Sequence, residues 1–261
     1  MSAYTYGLEF EIAGISPHTA ANALTRSGIQ CVEPNRTHET AETWKAVYDG
    51  SVRDGAEIVS PILDGVRLNE ANGVARALLN SGARVNRATG FHVHIGFNSF
   101  GNNTAERLNT LSTFMLNWYA AHSTIGALVA PSRLDNRFCK AITMEHAEQN
   151  AQRILNGNIS DYRGDRYQSL NLMSFERHST IETRLHQGTL NGIKAVAWSQ
   201  FISGMIEHAK TGSRLPARYE SIDQVARLNN ITDMLQVMAL NGYITEKVAN
   251  YLTQRAADLS A

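Results

Sequence analysis

Cysteine is nearly absent: the 261 residues hold two, Cys31 and Cys139, far apart in the chain. A disulfide framework and a thiolate zinc site both need several thiols at close spacing, so both are excluded. An excess of either charge sign is missing too. Lysine plus arginine numbers 24, and aspartate plus glutamate 24. No global field tracks a nucleic-acid backbone, nucleic acid is not expected as a partner, and any phosphate site has to be a local cluster. A long apolar run is also lacking. The stretch Leu111 to Val129 is interrupted by Ser112, Thr113, Asn117, His122 and Ser123, which suits a buried helix better than a membrane span. Met1 to Phe10 shows no basic segment followed by an apolar one, as a secretion signal would. The expectation is a cytoplasmic protein without a membrane partner. No G-x-x-x-x-G-K-[ST] stretch occurs, which excludes a P-loop, and no repeat, low-complexity tract or linker is visible. What remains is 43% hydrophobic and 18% charged residues, enough apolar material for an ordinary core.

Hydrophobic periodicity organises that material. Tyr4 to Ala13 alternates, with Leu8, Phe10 and Ile12 on one face and Gly7, Glu9 and Glu11 on the other, the pattern of a half-buried strand. Ser16-Pro17 opens a helix expected to end near Ser27-Gly28. Strands are expected at Trp44–Tyr48, Glu57–Ser60, Phe91–Phe97, Tyr167–Met173 and Thr180–His186, the last two spaced as a hairpin. Helices are expected over Leu68–Leu79, from a Thr104 cap towards Val129, around Met144–Leu155, and after Gly192 over Lys194–Lys210, Ser221–Asn229 and Thr245–Ala257. Strands with short helices come first and helices last, which argues an α+β fold with a largely antiparallel sheet. Residues 1–261 are expected to form a single domain, with 192–261 as a helical C-terminal layer or subdomain.

Three of these strands share a feature: one face is apolar, and the other carries ionisable groups two residues apart. Side chains at i and i+2 point the same way, roughly 6–7 Å apart. Glu9 therefore shares a face with Glu11, His92 with His94, and Glu182 with Arg184 and His186. If the strands are neighbours, carboxylates, imidazoles and a guanidinium converge on one surface. Close carboxylates repel and are stable together when cations neutralise them. Hard divalent ions take such oxygen ligands and leave positions open for phosphates, while arginine supplies a bidentate phosphate donor. Carboxylates, metal and arginine are the recurring parts of phosphoryl transfer. Taken singly, each pair also fits a plain role: Glu9 and Glu11 as the wet side of a strand, Glu182 and Arg184 as an ion pair. Their joint occurrence separates the two readings.

The segments Gly7-Leu8-Glu9-Phe10-Glu11, Asp49-Gly50-Ser51, Gly55-Ala56-Glu57-Ile58-Val59-Ser60-Pro61, Gly90-Phe91-His92-Val93-His94, Arg166 to Asn171, and Ile181-Glu182-Thr183-Arg184-Leu185 through Asn191 occur in the order found in the putative amidoligase family. The chain resembles that family from Gly7 to Asn191. The resemblance implies a glutamine-synthetase-like catalytic fold: a curved, largely antiparallel sheet with helices on one face and the active site on the other. It implies Glu9, Glu11, Glu57 and Glu182 as metal ligands, with His92 or His94, which spacing does not distinguish. Arg184 is implied on the transferring phosphate, and Arg166 as a further phosphate contact. Asp49 and Ser51 are implied on the substrate side, with Asp49 able to take a proton from the attacking amine. The implied cofactors are ATP and Mg2+, with Mn2+ as a substitute. The implied partners are a carboxylate substrate (amino acid, peptide or protein) and an amine acceptor, joined as an amide or isopeptide through an acyl phosphate. Three other functions suit the same face: a phosphagen-kinase-like phosphotransferase, a metal-dependent hydrolase, or an inactive binding module. The polar region Arg133 to Gly164 is the candidate lid or substrate loop.

Overall fold

The computed structural model describes residues 4–33, 41–50, 52, 54–159, 164–216, 219 and 223–260. Ser51 lies outside the described residues, as do Arg163 and the expected helix start at Ser221. The chain is an α+β protein, and its described residues divide into two compact units: those within 4–95 and 186–196, and those within 96–185 and 197–260. Seven strands occur among the described residues, and within the units every ladder but one is antiparallel.

The first unit is built on Tyr6–Ala13 (β1), Cys31–Val32 (β2), Trp44–Val47 (β3), Gly55–Val59 (β4) and Phe91–Gly96 (β5), of which Gly96 is grouped with the second unit. Their spatial order is β2-β3-β4-β1-β5, and β2 runs parallel to β3. The two-residue β2 was not expected, being too short for alternation to show. Pairing sets Phe10 opposite both Phe91 and Ile58, and Ala46 opposite Ile58. These residues share the apolar face with Leu8, Ile12, Val93 and Trp44, all buried, and the rings of Phe10 and Phe91 lie 4.7 Å apart. Burying each such side chain contributes about 1.5–3 kcal/mol. The helix Pro17–Arg26 (α1) covers this face over β2, β3 and β4 and packs on Glu70–Asn80 (α2). The Ser16 side chain caps α1 through the Thr19 amide, with proline at the first helical position. Gly28 and Gly82 close the two helices at φ +79° and +89°.

The second unit contains Thr104–Ala120 (α3), His122–Ile125 (α4), Met144–Leu155 (α5), Ser174–His178 (α6), Gly192–Lys210 (α7, from Ala197 onward), Gln224–Leu240 (α8) and Glu246–Ser260 (α9), with the strands Leu170–Asn171 (β6) and Thr180–Thr183 (β7). Asn103, rather than Thr104, caps α3 by accepting from the Glu106 amide. The helix stops at Ala120, short of Val129, where Ala121 leaves helical geometry at ψ 8°; no glycine or proline marks that break. Of the expected Tyr167–Met173 strand, β6 pairs with β7 and Gln168 makes an isolated parallel bridge to Lys140, while the Asp165 side chain folds the Tyr167 amide into a turn. The β6–β7 pair is antiparallel as expected, with α6 rather than a tight turn between the strands. α8 runs eleven residues past Asn229 because packing on α9 overrides the weak propensity of Asn229 and Asn230. Within Arg133–Gly164, α5 packs against α3. No helix among the described residues is long and apolar enough to cross a membrane.

Candidate metal and phosphate centre

Strand register determines which acidic groups meet. In the first unit Glu9 lies opposite His92, and Glu11 opposite Glu57. His94 lies opposite Gly7. A Cβ on Gly7 would sit 3.3 Å from the His94 Cβ, so the missing side chain leaves the imidazole room to lean across the strand. His94 Nε2 then reaches Glu9 Oε1 at 3.1 Å, and His92 Nδ1 reaches Glu9 Oε2 at 3.0 Å. The other nitrogen of His92 lies 3.4 Å from Glu11 Oε1. The second oxygen of Glu11 accepts a short hydrogen bond from the Gly90 amide. Burial alone would push the Glu9 carboxyl up. The charge of His94 and the hydrogen bonds from both imidazoles outweigh it and hold Glu9 well below the usual carboxylate range.

Two groups of donors result among the described residues of this unit. Glu9, Glu57 and His92 place one ligand atom each within 4.8 Å of one another, and so do Glu11, Asp49 and Glu57. Glu57 belongs to both. The first set is two carboxylates with an imidazole and the second three carboxylates, an oxygen-rich chemistry suited to Mg2+ or Mn2+ and unsuited to soft ions. The donors fit a hard divalent cation. Asp49, expected on the substrate side, thus stands among the carboxylates, half-buried beside Glu11 and Glu57.

In the second unit Glu182 sits on β7 opposite Asn171. Its carboxylate accepts from Asn171 Nδ2 at 2.6 Å and pairs with the Arg184 guanidinium. Arg184 follows the last residue of β7, and its Nε donates to the Phe138 carbonyl at 3.3 Å. Arg133, only 2% exposed, donates to the carbonyls of Arg184 (2.7 Å) and Leu185 (3.2 Å). Arg166 is exposed, stacks over the Tyr167 ring at 4.8 Å and donates to its hydroxyl. His186 is buried in the first unit, edge-on to Phe91, with Nδ1 on the Gln187 carbonyl. That is a structural arrangement.

Residues 2–206 match the model of a family described as putative amidoligase enzyme. The chain belongs to this family. The amidoligase match takes in every strand and ends within α7, so α8 and α9 lie beyond it. Among solved structures, a bifunctional glutathione synthetase from Pasteurella multocida is similar at a TM-score of 0.49 and 10% identity, over 99% of this chain and 47% of that one. The chain thus spans about half the length of that protein. No curated protein matches the chain.

Three residues around the candidate centre of this amidoligase-family chain were not expected from the sequence: Lys45, buried on β3 opposite Val59, Asn171 and Arg133. Lys45 had a signal, since it alternates with Trp44 and so falls on the face of β3 opposite the apolar one. Arg133 had none: a lone arginine in a polar stretch reads as solvated, and only the fold buries it.

Proposed function

We propose that this amidoligase-family chain is an ATP-dependent carboxylate–amine ligase working through an acyl phosphate, on a catalytic fold of glutamine-synthetase type. The observation that supports it is the pair of oxygen-rich donor groups sharing Glu57 on one sheet face, inside the residues matched by the family model. A carboxylate is a poor electrophile in water, so amide formation needs an activated acyl group. In the first step a carboxylate oxygen of the acid bonds to the γ-phosphorus of ATP and ADP leaves. In the second the amine nitrogen bonds to the acyl carbon, phosphate leaves, and the amine gives up a proton.

Glu9, Glu11, Glu57, Glu182 and an imidazole would hold divalent ions, which would supply charge neutralisation for the phosphates. His92, aimed at both Glu9 and Glu11, is placed to be that imidazole, and His94 also reaches Glu9. Arg184, its backbone clamped by Arg133, bears charge on the transferring phosphoryl group, and Arg166 is a further phosphate contact. Asp49 accepts the amine proton, and Ser51 serves the substrate. The single-domain organisation of residues 1–261 belongs to the same proposal.

Calorimetry with a non-hydrolysable ATP analogue tests the reading on wild type, Glu9→Gln and Arg184→Ala, with and without Mg2+. Mg2+-dependent binding weakened by both substitutions is expected, and with ATP itself sustained ADP formation is expected only when both an acid and an amine are supplied. A folded wild type that binds no nucleotide sinks the reading, and amine-independent phosphate transfer would make the protein a phosphotransferase instead.

A further inference from the structure

Lys45 belongs to no segment that the family resemblance drew on, yet it lies on the carboxylate face. In register it stands opposite Val59, which on its other side stands opposite Glu9, which in turn stands opposite His92. One cross-strand row therefore reads Lys45, Val59, Glu9, His92. The next row reads Val47, Glu57, Glu11. Side chains in register on neighbouring strands share a face, so Lys45 is diagonal to Glu57 and two strands from Glu9. It is also 4% exposed. Lysine is almost never that buried unless opposite charge accompanies it, because taking an ammonium out of water costs several kcal/mol.

The distribution of cations around the face shows what Lys45 does there. Both imidazoles come from β5 and engage Glu9, on that side of the face. Glu57 comes from β4, Asp49 follows β3, and the cation that β3 supplies is Lys45. Glu9, Glu11, Asp49 and Glu57 bring four carboxylates close together, and carboxylates at such range repel strongly in a part-buried setting. A lysine that met a bound substrate directly would need an accessible ammonium; one that neutralises the face from within would be covered, as Lys45 is.

We propose that Lys45 is a positioning residue of the carboxylate face, a built-in counter-ion. It holds Glu57 and its neighbours together before a divalent ion arrives, and it opposes that ion once bound. This rests on the metal reading given above only in its second half. The magnitude follows from geometry. Two strand spacings put the Lys45 and Glu9 backbones roughly 9.6 Å apart, which serves as the scale for the charge separation. A unit charge at that distance from a divalent ion, even at the dielectric of bulk water, changes affinity about fourfold.

The experiment uses the full chain in low salt, with four variants: Lys45→Met, Lys45→Arg, Glu57→Gln and the double variant Lys45→Met/Glu57→Gln. Urea denaturation after chelator treatment reads the metal-free half. Lys45→Met is expected to lower the midpoint in the wild-type background, to lose at least about half of that effect in the Glu57→Gln background, and to be rescued by Lys45→Arg. If Lys45→Met fails to fold, the double variant is expected to fold, and its failure would overturn the proposal. Calorimetric titration with Mn2+ reads the second half: Kd is expected to fall at least about fourfold in Lys45→Met and to stay near wild type in Lys45→Arg. Equal destabilisation in both backgrounds, or unchanged or weaker Mn2+ binding in Lys45→Met, would overturn the counter-ion role. A wild type that binds no Mn2+ would instead refute the metal reading, and the metal-free cycle alone would then decide Lys45.

Discussion

Acidification from pH 7.5 to 5 should destabilise the second unit, with His122 as the largest contributor. Its ring is 9% exposed, stacks on Tyr119 at 6.3 Å, and has an Nε2 with no hydrogen-bond partner among the described residues. Burial pushes its pKa down from 6.5 to about 4. The folded protein therefore keeps His122 neutral where the unfolded chain protonates it. For a base depressed in this way, stability is complete above the unfolded value and is lost as pH falls from 6.5 towards 4. Each pKa unit corresponds to about 1.36 kcal/mol, so the loss is about 2 kcal/mol at pH 5 and about 3 kcal/mol at pH 4. Glu9 follows the opposite rule. Its depressed carboxyl stabilises the fold above the ordinary carboxylate value and loses that contribution only at lower pH, so pH 5 separates the two. His208 is also pushed down by burial and loses stability in the upper window, which makes a variant necessary as the reference. The assay is urea unfolding of wild type and His122→Phe at pH 7.5 and 5.0, after chelation, read by the fluorescence of the buried Trp118 and Trp198 in the same unit. Wild type should lose about 2 kcal/mol more than His122→Phe across that interval. Equal losses would show that His122 is protonated in the folded state and would refute the reasoning.

Two further outcomes follow from close packing near the candidate site. Gly55→Ala would put a Cβ 2.1 Å from the Ile12 carbonyl and 2.5 Å from Val52 Cγ1, so β1 and β4 must part beside Glu11 and Glu57. We expect a loss of about 3 kcal/mol in urea unfolding, together with weakened Mn2+ binding in calorimetry. Arg133→Met strips the donors from the Arg184 and Leu185 carbonyls and should cost about 3 kcal/mol. Arg133→Lys should recover less than half of this in the same assay, because an ammonium does not reproduce the two-pronged guanidinium.

Much of the candidate site was legible before folding was considered. Alternation in Tyr6–Ala13 and Phe91–Gly96 placed Glu9 with Glu11 and His92 with His94, and the pairing ladder agrees. The Ser16-Pro17 cap and the glycine after α1 marked that helix because capping and positive φ are local requirements. Less was legible where local signals were weak or contradicted. The break at Ala121, the length of α8 and the shortness of β6 depend on what each segment packs against or turns on, and propensity does not encode that.

The sequence by itself determined which side chains share a face, because a strand's period of two is a property of the backbone. It also determined the chemistry of that face, carboxylates with imidazoles, because residue type is given directly. Only the tertiary structure decided that Glu11 meets Glu57, that Glu57 belongs to two donor groups, and that Lys45 shares a row with Glu9. Register between strands distant in the chain is chosen by the fit of the whole apolar face, and a slip of one residue would turn every one of these side chains to the other side.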